Sequence, residues 1–410
     1  MTELSPKIFT LSNGIRVVYQ HREHSLISHC CLMINAGSRD EKKSEQGLAH
    51  FIEHGLFKGT QKRKAFHILN RLDSVGGEIN ASTTKEDTSV YASFLNEYFP
   101  RALDLITDIT FRSTFPEKEM LKEKDVIFDE INSYLDNPGE AIFDDFEEQV
   151  FNGHAIGRNI LGTRNSVGKL SQSSIFKFID RSYSGDQIVF SFVGSLPFSK
   201  FRKEVEKELG SIPKKKNKNK RDRFRTYKPK HIVEERNLHQ AHTLIGNIGF
   251  DAMHEKRHEL IFLNNYLGGP AMNSILSLKV REKHGIAYYI ESGYTSYSDT
   301  GLFTIYMGTD KSQIDKARDL VMKELKVLRE KKLGMVQLNS AKKQLIGHVA
   351  LAQDSGLNIC LSFAKSLLLY NKISSTKEIL ERIEAINAND LLETANIVFN
   401  ENKLSSLTFI

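Results

Sequence analysis

The stretch GLAHFIEHGLFKGT, residues 47–60, decides how this chain is read. Its apolar residues recur at helical spacing, so it reads as an amphipathic helix that closes near Gly59. On such a helix, positions four apart project about 40° from one another and positions three apart about 60°. His50 and His54 therefore face the same way, with Glu53 on the other side of His50, all inside an arc of about 100°. Two neutral imidazoles suit zinc, and a catalytic zinc keeps one coordination place for water. A carboxylate beside that water can take its proton once the metal has lowered the water's pKa toward ~7.

A third ligand has to come from elsewhere. Pro116 opens a long helix, EKEMLKEKDVIFDEINSYL, in which Glu123 and Glu130 stand nearly in line on one face. Val126 and Ile127 between them form an apolar stripe expected to turn that face toward a core. A carboxylate from a separate helix is the usual completion of a two-His site, which selects Glu130, and Glu123 is placed to orient a ligand. Taken alone, Glu130 reads equally as a surface acid. The combination selects it.

Around these helices the pattern is one of strands alternating with helices. IFTLSNGIRVVYQ places Asn13-Gly14 between two β-rich runs and reads as a hairpin, and SHCCLMINAG reads as a further strand. EINASTTKEDTSVYASFL reads as an exposed strand, a turn and a paired strand. From about residue 230 the order repeats: strand HTLIGNIGF, helix HELIFLNNYLGG, the strand pair IAYYIESGYTSYSDTGLFTIYMG, then two long helices. Element order given twice predicts a duplicated α+β unit. The expected domains are 1–212 and 230–410, joined by a linker over 213–229, and about 200 residues each is the natural size for 410.

The residues GLAHFIEHGLFKGT, followed by the Glu of EKDVIFDE, resemble the ligand signature of the inverted-zincin peptidases, the pitrilysin, insulin-degrading and mitochondrial processing peptidase group. GGEINASTTKEDTSVY, GRNILGT and LGGPAMNSILSLKVREKHGIAYY are similar to further segments of that family, so the resemblance spans nearly the whole chain. It implies two layered α/β domains with mainly antiparallel sheets, together half of a clam-shell chamber. It implies zinc held by His50, His54 and Glu130, with Glu53 as general base and Glu123 as a partner behind the ligands. Asn80 and Ala81 would bind the substrate backbone as an added strand, and Arg281 and Tyr288 would grip substrate and stabilise the oxyanion. A chain of this length supplies one shell, so a homodimer is implied, with Arg281 and Tyr288 acting across the interface. The implied activity is cleavage of peptides or unfolded protein segments; the alternative is a non-catalytic subunit of a processing complex.

Composition narrows the rest. Net charge is +6, and residues 214–225, KKKNKNKRDRFR, carry much of the excess. Such a run fits an anionic partner or a solvated linker; no aromatic or glycine-rich motif accompanies it, so nucleic acid is not expected as a partner. Cys30 and Cys31 sit in an apolar strand and, with Cys360, show no metal spacing and no disulfide framework. The N-terminal MTELSPKIFTLSNG lacks a targeting pattern, and nowhere do 18 apolar residues run together. A reducing, cytoplasmic compartment without a membrane span is expected. His239 and His242 would point to opposite faces of a strand, His21 and His24 fall in a polar loop, and no nucleophile elbow or phosphate-binding loop is present.

Overall fold

The computed structural model describes residues 5–410, so the first four residues of the N-terminal stretch lie outside the description. In chain order the strands are β1 (Lys7–Thr10), β2 (Arg16–His21), β3 (Ile27–Ile34), β4 (Glu78–Thr83), β5 (Thr88–Leu95) and β6 (Ile188–Gly194). They continue with β7 (His231–Glu234), β8 (Gln240–Gly249), β9 (Ala287–Ser296), β10 (Gly301–Asp310) and β11 (Ser405–Phe409). The helices are α1 (Leu48–Leu56), α2 (Ala65–Asp73), α3 (Phe99–Arg112), α4 (Glu117–Leu135), α5 (Pro138–Val150), α6 (Arg164–Gly168) and α7 (Gln172–Ser182). Then follow α8 (Phe198–Glu208), α9 (Arg257–Gly268), α10 (Ile314–Glu330), α11 (Met335–Asp354), α12 (Gly356–Tyr370), α13 (Thr376–Ala385) and α14 (Ala388–Val398).

Among the described residues these form two sheet-plus-helix units. The first sheet is six-stranded in the order β1-β2-β6-β3-β5-β4, and the second is five-stranded in the order β7-β11-β8-β10-β9. Each is antiparallel except for one parallel pair, β2 with β6 and β11 with β7. Asn13-Gly14 makes the expected hairpin, with Gly14 at φ 98° between paired β1 and β2.

The central strands of the first sheet, β3 and β6, are buried on both faces, and their side chains sort by alternation. Cys30, Leu32, Ile34, Phe190 and Phe192 enter one core with α1 and α3 residues, whereas Cys31, Met33, Val189 and Val193 enter another with Ile359, Cys360, Ala364 and Leu367 of α12. The second sheet is covered the same way. Ile245, Phe303, Ile305 and Met307 pack with α9, α10 and α14, while Leu244, Leu302 and Leu407 pack with Ile142 and Phe146 of α5. The compact units therefore do not follow a single cut in the chain. Residues 351–373 belong with the first unit and 133–157 with the second, the remaining boundary falling between Asp222 and Arg223. Periodicity reports which face of a helix is apolar but not which sheet it covers, so this exchange is invisible to a linear reading.

The β4 strand is largely exposed as expected, and the charged turn that follows it is buried at Lys85, Glu86 and Asp87. The basic run departs from expectation at its end, where the Arg221 guanidinium is bound to buried Asp40 at 2.7 Å, while Lys218 pairs with Asp180 at 2.9 Å on the exposed surface. Phe224 and Tyr227, just beyond, pack against the second unit's core.

The helix carrying the HFIEH residues begins at Leu48 and stops at Leu56, short of Gly59. Its N-cap, Gly47, stands at φ 87° and has no side chain to cap the first turn; a Cβ there would meet the Leu161 carbonyl at 2.5 Å. The capping acceptor comes instead from Glu41, whose carboxylate receives Gly47 N at 3.0 Å and Ala49 N at 2.8 Å. Burial pushes the Glu41 carboxyl up to about 8, against the pull of those two N–H groups and of Arg158.

Two outcomes follow for stability. Leu367→Ala, on a helix distant in sequence from the first sheet, should cost ~2–5 kcal/mol in denaturant unfolding, with faster hydrogen exchange in β3 and β6. For Glu41 the folded pKa lies above the unfolded one, so its contribution is complete at acid pH and is lost as pH rises toward 8. Thermal unfolding of wild type against Glu41→Gln should shift against wild type from pH 5 to 8, by on the order of 1 kcal/mol per pH unit; a pH-independent difference contradicts the assignment.

Candidate metal centre

The buried side of α1, made of Leu48, Phe51, Ile52 and Leu56, fixes which way its polar residues point. On α4 it is Met120 and Ile127 that are buried, whereas Val126 is exposed, so the stripe that turns this helix inward is narrower than expected. With both helices seated, His50 Nε2 stands 3.7 Å and His54 Nε2 3.6 Å from the same oxygen, Oε2 of Glu130. One ligand atom from each of the three lies within 4.8 Å of the other two.

These separations are too long for hydrogen bonds. They match instead donors that surround a common centre, since ligands ~2.0–2.1 Å from a tetrahedral zinc lie about 3.3 Å from one another. The donor chemistry fits as well: two imidazoles and one carboxylate are the set expected of a catalytic zinc site. Burial, reinforced by neighbouring His54, lowers the His50 pKa to about 3. The ring is therefore neutral near pH 7, the form a metal requires.

Behind the donors, His54 Nδ1 is 3.1 Å from Glu123 Oε2, and the other oxygen of Glu123 meets Lys58 Nζ at 2.6 Å. An N–H at Nδ1 leaves the Nε2 lone pair free to face Glu130. His50 has no such support, and its Nδ1 is buried without a hydrogen-bond partner.

Glu53 is half-buried on the same side of α1. Burial raises its carboxyl above the ordinary range and Glu130 adds to this, while Thr83 and His54 oppose it. Thr83 closes β4, the last strand in sheet order, so among the described residues one side of the β4 backbone has no strand partner. Asn80 and Ala81 lie on this strand, and the Ala81 N–H is received by the neighbouring Asn80 Oδ1 at 2.9 Å.

Arg281 and Tyr288 belong to the second unit. Arg281 lies next to the end of a π-helical stretch, Ser277–Glu282, with its Nε 2.9 Å from Glu282. Tyr288 falls at a bulge: Gly308 pairs with Tyr289 and Thr309 with Ala287, which leaves Tyr288 as the extra residue, 85% exposed. The two line one cavity of about 710 Å3 with Gln240 and Asp310. His242 bonds the Tyr306 hydroxyl at 2.8 Å.

Three residues of the site escaped the sequence. Lys58 was within reach, since it stands four after His54 on the same helical line. Glu41 and Thr83 carried no local signal, because their roles are set by loops and strands distant in sequence.

Comparison with known proteins accords with this geometry. Residues 16–164 match the insulinase family, peptidase family M16, and residues 169–345 match the peptidase M16 inactive domain. An uncharacterized zinc protease of Bacillus subtilis is 33% identical, covering 97% of this chain and 96% of its own. The mitochondrial-processing peptidase subunit beta of Saccharomyces cerevisiae is 26% identical over 94% of this chain and 87% of its own. A solved structure of a protease from Helicobacter pylori superposes with a TM-score of 0.92 at 20% identity, covering 99% of each chain, and so shares the fold. A chain matched end to end in this way, with both domains accounted for in order, belongs to the M16 peptidase family.

Proposed function

We propose that this protein is a zinc-dependent endopeptidase acting on peptides or unfolded protein segments, with His50, His54 and Glu130 as metal ligands and Glu53 as general base. The observation that carries this reading is the convergence of two imidazole nitrogens and a carboxylate oxygen within 4.8 Å, beside a second carboxylate and an unpaired strand edge. When bound, the cation supplies Lewis acidity, lowering the pKa of a water toward ~7 and polarising the scissile carbonyl.

The remaining work falls to side chains. Glu53 takes the proton from the attacking water and returns it to the leaving amine; a carboxyl raised by burial is better matched to this shuttle near neutral pH than an ordinary one. Glu123 holds His54 in one tautomer and Lys58 balances the charge of Glu123. The substrate backbone adds to β4 as a further strand, displacing the Asn80 side chain from the Ala81 N–H. Main-chain pairing reads no side chains, which suits varied peptides.

Arg281 and Tyr288 bind substrate and the developing oxyanion. Two sheet-plus-helix units make one shell and a closed chamber needs two, so we infer a homodimer in which this pair serves the partner's site. A reducing, cytoplasmic setting is supported by three cysteines that are all buried thiols; no helix among the described residues is long and apolar enough to cross a membrane. A second reading, a non-catalytic subunit of a processing complex, draws on the name of the yeast relative as a subunit. The complete donor set with Glu53 beside it favours the enzyme.

Purified wild type should carry about one zinc per chain and cleave a quenched fluorescent peptide. Glu53→Gln should keep its metal and lose activity ~10²–10⁴-fold; full activity in that variant would exclude Glu53 as the base. Glu123→Gln should weaken zinc binding ~10–100-fold in a chelator competition, whereas unchanged affinity would reduce Glu123 to a packing residue.

A further inference from the structure

In the turn Thr84-Lys85-Glu86-Asp87 the three charged residues are buried, and each of the four carbonyls is engaged. Thr84 O receives Ser38 N at 3.1 Å and Lys85 O receives Arg39 N at 2.8 Å, while Asp87 O receives Thr84 N at 2.8 Å. The fourth, Glu86 O, is bound by the Arg221 guanidinium at 2.6 Å. The same guanidinium forks onto both oxygens of Asp40, at 2.8 and 2.7 Å, and reaches the Asn35 carbonyl. Arg39 meets the Glu86 carboxylate at 2.6 Å and the Asp222 carbonyl at 2.6 Å, so it bridges the turn to the linker residue next to Arg221. Asn219 adds a bond to Asp40, and Lys365 of α12 pairs with Asp87.

Everything held here lies close to the proposed site in one direction. From Thr84 the chain runs back into β4, which packs against α1 and whose Asn80 and Ala81 lie on the open edge. The other end of the cluster is the loop with Asp40 and Glu41, and Glu41 caps α1. Gly37 is required for this closeness, since a Cβ there would collide with the Thr84 carbonyl. The linker thus touches, through one planar cation, both segments that set the relation of the substrate edge to the metal helix. Only a guanidinium supplies enough donors in one plane to do so.

We propose that residues 218–222 are a tether that fixes β4 in register with α1, and that Arg221 is a positioning residue for substrate binding at that edge. This rests on the peptidase reading for its functional half and on geometry alone for its structural half. The charge run that joins the two domains in sequence is in this view part of the substrate site's support.

The test uses the full chain with Arg221→Ala and Arg221→Lys, read by amide hydrogen exchange, zinc content and the kcat and KM of peptide cleavage. In Arg221→Ala the amides of residues 81–88 should exchange ~10-fold faster or more, with α1 and β3 unchanged and zinc retained. Cleavage should lose ~10-fold or more in kcat/KM, chiefly through KM, as expected of a displaced binding edge. Arg221→Lys, which keeps the charge but not the fork, should recover part of both. Unchanged exchange at 81–88 overturns the tether, and so does a rise shared equally by β3 and α1, which marks general destabilisation. A local rise with unchanged KM overturns the positioning role. If Arg221→Ala does not fold, Arg221→Lys must show the same local rise. If wild type cleaves nothing, the peptidase reading fails, while the exchange measurement still decides the tether.

Discussion

A helix of nine residues is too short to persist alone in water, where ~12–15 residues are marginal even for strong helix formers. α1 nevertheless has to present His50, Glu53 and His54 at fixed angles, so its existence and its orientation both come from tertiary contacts. Four apolar side chains are buried beneath it, Glu41 binds its N-terminal amides from six residues upstream, and Glu123 holds His54 from a separate helix. Each contact removes a freedom that local propensity leaves open. The surrounding sheet, the capping loop and α4 can be understood as the means of meeting that one demand.

The second unit repeats the architecture without the demand. There α9 packs against the edge strand β9 much as α1 lies against β4, and α11 follows in the place of α4. Across those helices His348 Nδ1 meets Asn265 Oδ1 at 3.0 Å, a neutral pair where the first unit joins an imidazole to a carboxylate. Among the described residues, no second cluster of metal-binding side chains forms. What the second unit offers instead is a cavity with Arg281 and an exposed Tyr288 raised by a bulge. One topology thus carries a cluster of two imidazoles and a carboxylate in one copy and a cavity lined by an arginine and a tyrosine in the other.

Much of this was legible in the sequence because the decisive signals are local. The HFIEH spacing, the in-line acids at Glu123 and Glu130, the Asn13-Gly14 hairpin and the repeated element order all depend on residues a few positions apart. What was not legible depends on separation. That α12 covers the first sheet and α5 the second cannot be read from either helix, since each is apolar enough to cover any sheet. Charge misled at the basic run, which looks solvated by composition, whereas its Arg221 is held by the Asp40 carboxylate and the Glu86 carbonyl. Asp40 has no exposed side-chain surface and Arg39 almost none. Burying such pairs adds little net stability; what they fix is geometry, because any rearrangement leaves a charge without its partner.

The central claim is that His50, His54 and Glu130 share one cation. X-ray absorption on zinc-loaded protein tests it most directly, compared with a His50→Ala/His54→Ala variant. The expected spectrum shows about two imidazoles among nitrogen and oxygen ligands at ~2.0–2.1 Å, and the double variant should not retain stoichiometric zinc. A spectrum without imidazole scattering, or full zinc occupancy in the double variant, would place the metal elsewhere and contradict the assignment.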